Sequence, residues 1–371
     1  MIPQTDPKAA YLAQRAEIDT AITRVLEGGR YILGAEVEAF EQEFAAYMGA
    51  KNAVGVASGT DALILALKAL GVGPGDGVVT VSHTAVATVA AIELTGATPI
   101  LVDIDDYYTM DVEGLAATLK GWSVKGVTPK VVIPVHLYGQ PADMRGIMEL
   151  ALAHSLIVLE DNSQAHGATL DGTMVGRFGR IAAYSLYPTK NLGAIGDAGV
   201  IATDDPVLVE ALKALREYGW RERYISDIAG FNSRLDPLQA AILRAKLTRL
   251  AADTDRRRAI AARYDAGLAG VAGLELPATR PGAQPVYHQY VVATDRRDAL
   301  QAALKEAGVG TLIHYPVPVH LQRAYKDRVP LSPAGLARTE RAAGRILSLP
   351  MFPQLTDAQA DSVIQAIKAS L

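Results

Sequence analysis

Between Ala53 and Thr203 the chain keeps repeating one pattern, a short apolar run followed by a stretch of helical spacing. The apolar runs are residues 53–57, 78–81, 98–102, 131–135, 156–159, 181–184 and 199–203. The helical stretches include residues 62–70, 85–94, 111–119, 144–153 and 207–217. Strands separated by helices predict an α/β fold, a largely parallel sheet with helices on both faces. Ligands of such sheets bind where the C-terminal ends of the strands open. Residues that follow the apolar runs are therefore the ones to read for chemistry.

Two helices precede this block, at 11–26 and 37–48, the first ended by Gly28-Gly29. Beyond it, Asp236-Pro237 supplies an N-cap and an N1 proline to a helical run reaching about Ala266, read here as one long connector. The remainder holds strand-like 287–293 and 311–314, a helix at 297–307 and a terminal helix from Asp357. This predicts a large domain over 1–249 and a smaller α+β domain over 250–371. A chain of 371 residues is long enough for both.

Composition narrows the function classes. A net charge of −4 argues against a general nucleic-acid or anionic-membrane binder, which needs a basic face. With no cysteine, disulfides, thiolate metal sites and cysteine nucleophiles are excluded, which fits a cytoplasmic location. No apolar run approaches the ~18 residues of a membrane span, and Met1 to Pro7 lacks the features of a signal peptide.

The stretch from Leu156 to Lys190 carries the strongest chemical signal. One apolar run ends in Glu160-Asp161; the next delivers Ser185 and, five residues on, Lys190. A carboxylate at such a strand end suits a protonated ring nitrogen, or else serves as a structural acid or a metal ligand. No His-Glu-x-x-His or paired-histidine cluster supports the metal. An amine at the same edge can form a Schiff base and then move protons, although most lysines are solvated surface charges. Gln164 offers an amide to a phenolic oxygen, and Ser185 a hydroxyl to a phosphate. Ser58-Gly59-Thr60, between a strand and a helix, is either a phosphate seat or an ordinary N-cap. His83, after residues 78–81, either stacks on a flat cofactor or belongs to the core or surface. His314, Tyr315 and His320 lie in a proline-rich loop that either meets a polar substrate or only packs.

Six ordered motifs together resemble the DegT/DnrJ/EryC1/StrS sugar aminotransferases, a branch of the fold-type I pyridoxal-phosphate enzymes. They are Ser58 to Leu63, Gly71 to Asp76, Pro134 to Gly139, Glu160 to Ala168, Ser185 to Lys190 and Gly230 to Leu235. The resemblance implies that Lys190 binds pyridoxal 5'-phosphate as a Schiff base and Asp161 pairs with its ring nitrogen. It gives Gln164 to the ring hydroxyl, and Ser185 with the amides of Gly59 and Thr60 to the phosphate. It also implies a homodimer with shared sites, Asn232 reaching the neighbour's phosphate, and Tyr31 and the segment from Arg221 to Tyr224 near the substrate. Relatives commonly carry an aromatic residue at the place of Ala85, so either His83 covers the ring or it is covered differently.

The implied reaction moves an amino group from glutamate to a nucleotide-linked (dTDP) 3-keto-6-deoxyhexose. Amination at the 4-position, or a non-catalytic cofactor-binding sensor, are the alternatives. Lys190 speaks against relatives that carry histidine there and act as dehydratases. A nucleotide-sugar oxidoreductase is excluded, because Gly71 to Asp76 has aspartate where the third glycine of a dinucleotide turn belongs and follows a helix.

Overall fold

A computed structural model describes residues 1–371. The chain opens with α1 (Pro7–Leu12), α2 (Arg15–Gly28) and α3 (Ala35–Met48). The single helix expected over 11–26 is thus two, interrupted where the Gln14 side chain turns to donate to the carbonyl of Ala245 at 3.1 Å. Then follow β1 (Asn52–Val56), α4 (Gly59–Ala69), β2 (Asp76–Val81), α5 (Val86–Leu94), β3 (Thr98–Val102) and α6 (Val112–Gly121). The alternation continues with β4 (Thr128–Val132), α7 (Met144–Ala153) and β5 (Ile157–Asp161). A short ribbon, β6 (Thr169–Leu170) and β7 (Thr173–Met174), precedes β8 (Ile181–Ser185), β9 (Gly199–Thr203) and α8 (Pro206–Leu215). A small hairpin of β10 (Trp220–Glu222) and β11 (Ile225–Ser226) leads to α9 (Pro237–Leu247) and α10 (Leu250–Leu268). The rest comprises β12 (Ala283–Gln284), β13 (Tyr290–Ala293), α11 (Arg297–Glu306), α12 (Ala337–Arg345), β14 (Ile346–Leu349) and α13 (Asp357–Ser370).

The central sheet has seven strands in the order β1-β9-β8-β5-β4-β2-β3. Strands β3, β2, β4, β5 and β8 are parallel, as the alternation predicts. Strand β9 runs antiparallel to both β8 and β1. The reason is local: no helix lies between β8 and β9, so the chain has no crossover to carry it back to the starting edge. That helix-free return is the segment bearing Lys190.

Helix α4 crosses one face of the sheet, and Ala62 through Leu67 are all buried. A helix apolar on every side is one that is covered on every side. At ~1.5–3 kcal/mol for each fully buried large aliphatic side chain, Leu63, Leu65 and Leu67 fix its position, and with it the N-terminal turn that faces the site. The opposite face is covered by α3 and α9 through Phe40, Phe44, Ala240 and Leu243.

The run from Pro237 to Ala266 is not one connector helix. It breaks at Thr248 and Arg249, where α9, packed on α2 and α3, gives way to α10, packed on α13. Two packing directions cannot be served by one straight rod. Residues 311–314 do not form a strand either; only Leu312 bridges to Ser348. The prolines at 316 and 318 and the absence of further pairing keep this segment a loop. The strand expected at 287–293 starts at Tyr290, because Tyr287 holds a left-handed φ of 44°.

Two segments cross the division expected at 249/250. The amide of Ile2 donates to Gly308 O at 2.8 Å and that of Met351 to Gln4 O at 3.0 Å, tying the N-terminus to the C-terminal part. Conversely, Val319, Tyr325, Val329 and Leu336 pack on Val89 and Leu101 of the central sheet layer. No helix is long and apolar enough to cross a membrane.

Candidate active site

Strands β5 and β8 are adjacent and parallel, with Asp161 paired in register to Ala183. Asp161 therefore emerges beside the strand that ends in Ser185 and leads to Lys190. The return loop is firmly held: Lys190 N donates to Tyr187 O at 2.8 Å and Ala194 N to Leu186 O at 2.8 Å. The Asn191 amide donates to Val286 O at 3.1 Å, and the Lys246 amine to the carbonyl of Gly193.

Ser58 caps α4 by accepting from the Asp61 amide at 3.0 Å, so the N-cap reading of this motif holds. The seat reading holds as well. A Cβ on Gly59 would lie 2.5 Å from Ser185 Cβ and 2.8 Å from its Cα, so only glycine lets the helix start abut the end of β8. The first amides of α4 and the Ser185 hydroxyl then face one space, an arrangement that receives an anion.

That space is a cavity of about 320 Å³. Of the residues expected from the sequence, Gly59, Thr60, Asp161 and Gln164 line it, as do Ser185, Lys190, His314 and Tyr315. Burial pulls the Lys190 amine down to about 8, while the charge of Asp161 acts in the opposite direction. Burial also holds His314 near about 4 and His288 well below the usual imidazole range, both helped by the Lys190 charge, so these rings are neutral at pH 7. Asp161 accepts from the Thr88 hydroxyl at 3.0 Å and from the Ser163 amide at 3.1 Å. The Gln164 side-chain oxygen accepts from Tyr138 N at 2.7 Å, which leaves its NH₂ toward the cavity, donating to the Tyr315 hydroxyl at 3.2 Å.

His83 does not cover this cavity. Its ring is fully buried behind the wall, donates through Nε2 to the Tyr138 hydroxyl at 2.8 Å, and packs against Tyr108 and Tyr138. The chain bends after β2 ends at Val81, and past that bend it is Thr84 and Ala85 that reach the cavity. His320 is also withdrawn: buried, it bonds to Ser82 at 2.7 Å and to Glu340 at 3.2 Å and lines no part of the site. Tyr31, Tyr224 and Asn232 lie on the surface and line no part of the cavity.

Several lining residues had not been singled out: Thr84, Thr88, Ser163, Asp197, His288 and Gln289. The two threonines, four residues apart at a helix start, carried a readable signal. His288 and Gln289 did not, since they arrive from the C-terminal part, far beyond β9, the last of the central strands. No group of three or more His, Asp or Glu is placed to hold a metal.

The donor set matches the needs of a pyridine aldehyde phosphate. It offers an amide-and-hydroxyl anion seat, a buried carboxylate held by two donors, a fixed carboxamide and an amine of lowered basicity.

Comparison with known proteins places these features among similar chains. The profile of the DegT/DnrJ/EryC1/StrS aminotransferase family matches residues 13–368. The chain is 49% identical to a dTDP-3-amino-3,4,6-trideoxy-alpha-D-glucose transaminase of Streptomyces venezuelae, over 99% of this chain and 95% of the relative. It is 46% identical, over 99% of both, to the erythromycin biosynthesis sensory transduction protein EryC1 of Saccharopolyspora erythraea. Among solved structures it is similar to S. venezuelae DesV in complex with a ketimine intermediate. That match has a TM-score of 0.93 and 49% identity, covering 99% of this chain and 98% of the other.

Proposed function

Since the chain belongs to the DegT/DnrJ/EryC1/StrS aminotransferase family, we propose that it uses pyridoxal 5'-phosphate to move an amino group from glutamate to a nucleotide-linked 3-keto-6-deoxyhexose. One observation carries the reading: the Lys190 amine, lowered to about 8, and the Asp161 carboxylate open into one cavity beside an anion seat. The 49% identical relative, a dTDP-3-amino-3,4,6-trideoxy-alpha-D-glucose transaminase, supports dTDP as the carrier and carbon 3 as the position. The surface positions of Asn232, Tyr31 and Tyr224 agree with a homodimer in which they serve the neighbour's site. The fold and the lack of cysteine fit a cytoplasmic enzyme.

When bound, the cofactor supplies an aldehyde to take up the amino group and a ring that spreads the resulting negative charge. Ser185 and the amides at the start of α4 hold its phosphate. Asp161, kept as an acceptor by Thr88 and Ser163, favours a protonated ring nitrogen. Gln164, clamped by Tyr138 N, presents its NH₂ to the ring hydroxyl. Lys190 would hold the aldehyde, and its amine, lowered to about 8 by burial, could take up and return a proton as a general base near neutral pH.

The purified protein, given pyridoxal phosphate and glutamate, is expected to release 2-oxoglutarate. With 3-keto and 4-keto nucleotide sugars supplied in parallel, NMR of the product should find the new C–N bond at carbon 3; a bond at carbon 4 only would overturn the regiochemistry. The EryC1 relative's name raises a sensor instead. Cofactor binding without any 2-oxoglutarate would favour that second reading.

A further inference from the structure

Asp161 is 3% exposed, and polar oxygens so deep need hydrogen-bond partners. One partner, the Ser163 amide on Oδ1, comes with the turn that follows β5. The other comes from elsewhere in the fold. The Thr88 hydroxyl, in the first turn of α5, lies 3.0 Å from Oδ2. It has a single proton, and an ionised carboxylate can only accept. Thr84 Oγ1 sits 3.1 Å from Thr88 Oγ1, so the proton between the two threonines must belong to Thr84. The chain therefore runs one way, from Thr84 to Thr88 to Asp161. Hydrogen bonds in series polarise one another, and the last is charge-assisted. Lys190 and Tyr315 are the titratable groups that sense the Asp161 charge across the cavity.

We propose that Thr88 is a positioning residue for the transamination: its hydroxyl, oriented by Thr84, holds the Asp161 carboxylate in line for the cofactor's ring nitrogen. The assignment rests on the function proposed above. Nothing in local helix chemistry demands it, because the hydroxyl has turned from backbone carbonyls to the acid.

The test compares Thr88→Val, Thr88→Ala and Thr88→Ser with the wild-type holoenzyme. Three quantities are measured: the dissociation constant for pyridoxal phosphate, the pH at which the bound chromophore changes, and kcat and KM for the glutamate half-reaction. Loss of one hydrogen bond to a charged group corresponds to about ten- to a hundredfold. Thr88→Val and Thr88→Ala should lose that much in kcat with KM little changed, and bind cofactor about tenfold more weakly. Their chromophore should titrate at higher pH, since a ring nitrogen with less positive charge makes the imine more basic. Thr88→Ser should stay within about twofold of wild type, because it keeps the donor. Wild-type kcat and chromophore pH in both Thr88→Val and Thr88→Ala would overturn the assignment alone. A lowered melting temperature in all three variants with an unshifted chromophore would overturn it too, as the mark of mere packing. A wild-type protein without any cofactor chromophore would overturn the functional reading, and this one with it.

Discussion

The backbone amide of Tyr138 donates to the side-chain oxygen of Gln164 at 2.7 Å. The same tyrosine donates its hydroxyl to the carbonyl of His314, and Gln164 donates to the Tyr315 hydroxyl. These bonds close a ring that ties the cofactor-facing amide to the loop from the C-terminal part. Tyr138 adopts a φ of 60° to make both contacts, a conformation that costs roughly 1–2 kcal/mol outside glycine.

Tyr138→Phe should therefore loosen the loop without touching the cofactor. It strands the buried His314 carbonyl and the His83 Nε2–H, so stability should fall by about 1–3 kcal/mol in denaturant unfolding. KM for the ketosugar should rise several-fold while the glutamate half-reaction stays near wild type. Equal losses in both half-reactions would contradict this division.

The Lys190 amine sets a pH dependence. An unperturbed lysine titrates near ~10.4, whereas burial lowers this one to about 8. The neutral amine is the nucleophile, and a lowered pKa makes it available at lower pH. The rate at which apoprotein captures pyridoxal phosphate should climb through about 8 and level off above it. An absorbance stopped-flow series across pH 6–10 measures this; Lys190→Ala should show no borohydride-reducible adduct at any pH.

Two neighbouring acids do different work. Glu160 is fully buried and accepts from the amides of Gly176 at 2.7 Å, Phe178 at 2.8 Å and Gly179 at 2.6 Å. His136 accepts from Ala142 N through Nδ1, so its Nε2–H donates to Glu160 at 3.1 Å. Glu160→Ala would leave these donors unpaired inside the protein, and at ~1–3 kcal/mol each it should cost enough stability to impair folding. Asp161→Asn should instead fold and retain cofactor but slow proton transfer severely. Circular dichroism melting and single-turnover kinetics separate the two outcomes.

Gly59→Ala tests the anion seat. The added methyl group would meet Ser185 at 2.5–2.9 Å, so helix and strand must part by a few tenths of an ångström or more. Overpacking of this kind costs about 1–3 kcal/mol, and the phosphate end should bear most of it. Pyridoxal phosphate affinity is expected to drop at least tenfold, while affinity for the phosphate-free pyridoxal changes little. Equal losses for the two ligands would rule out this location for the phosphate.

The sequence alone determined the parallel layers, because buried strands and their helices announce themselves within ten residues by apolar spacing. It likewise put Asp161 and Ser185 at the same C-terminal edge, since each closes a strand of the alternating block, while only the structure made those strands neighbours, with Asp161 opposite Ala183. The direction of β9 was legible only in part, as a missing helix. What the tertiary structure decided is which way side chains face at the turns. His83 follows a core strand as plainly as Thr84 does, yet the bend after Val81 leaves one in the wall and the other in the cavity. His288 and Gln289 enter from the C-terminal part, and His320 is taken away by Ser82. Strand ends are fixed by local burial, but the facing of a residue just past them depends on contacts with segments distant in the chain, which no local spacing encodes.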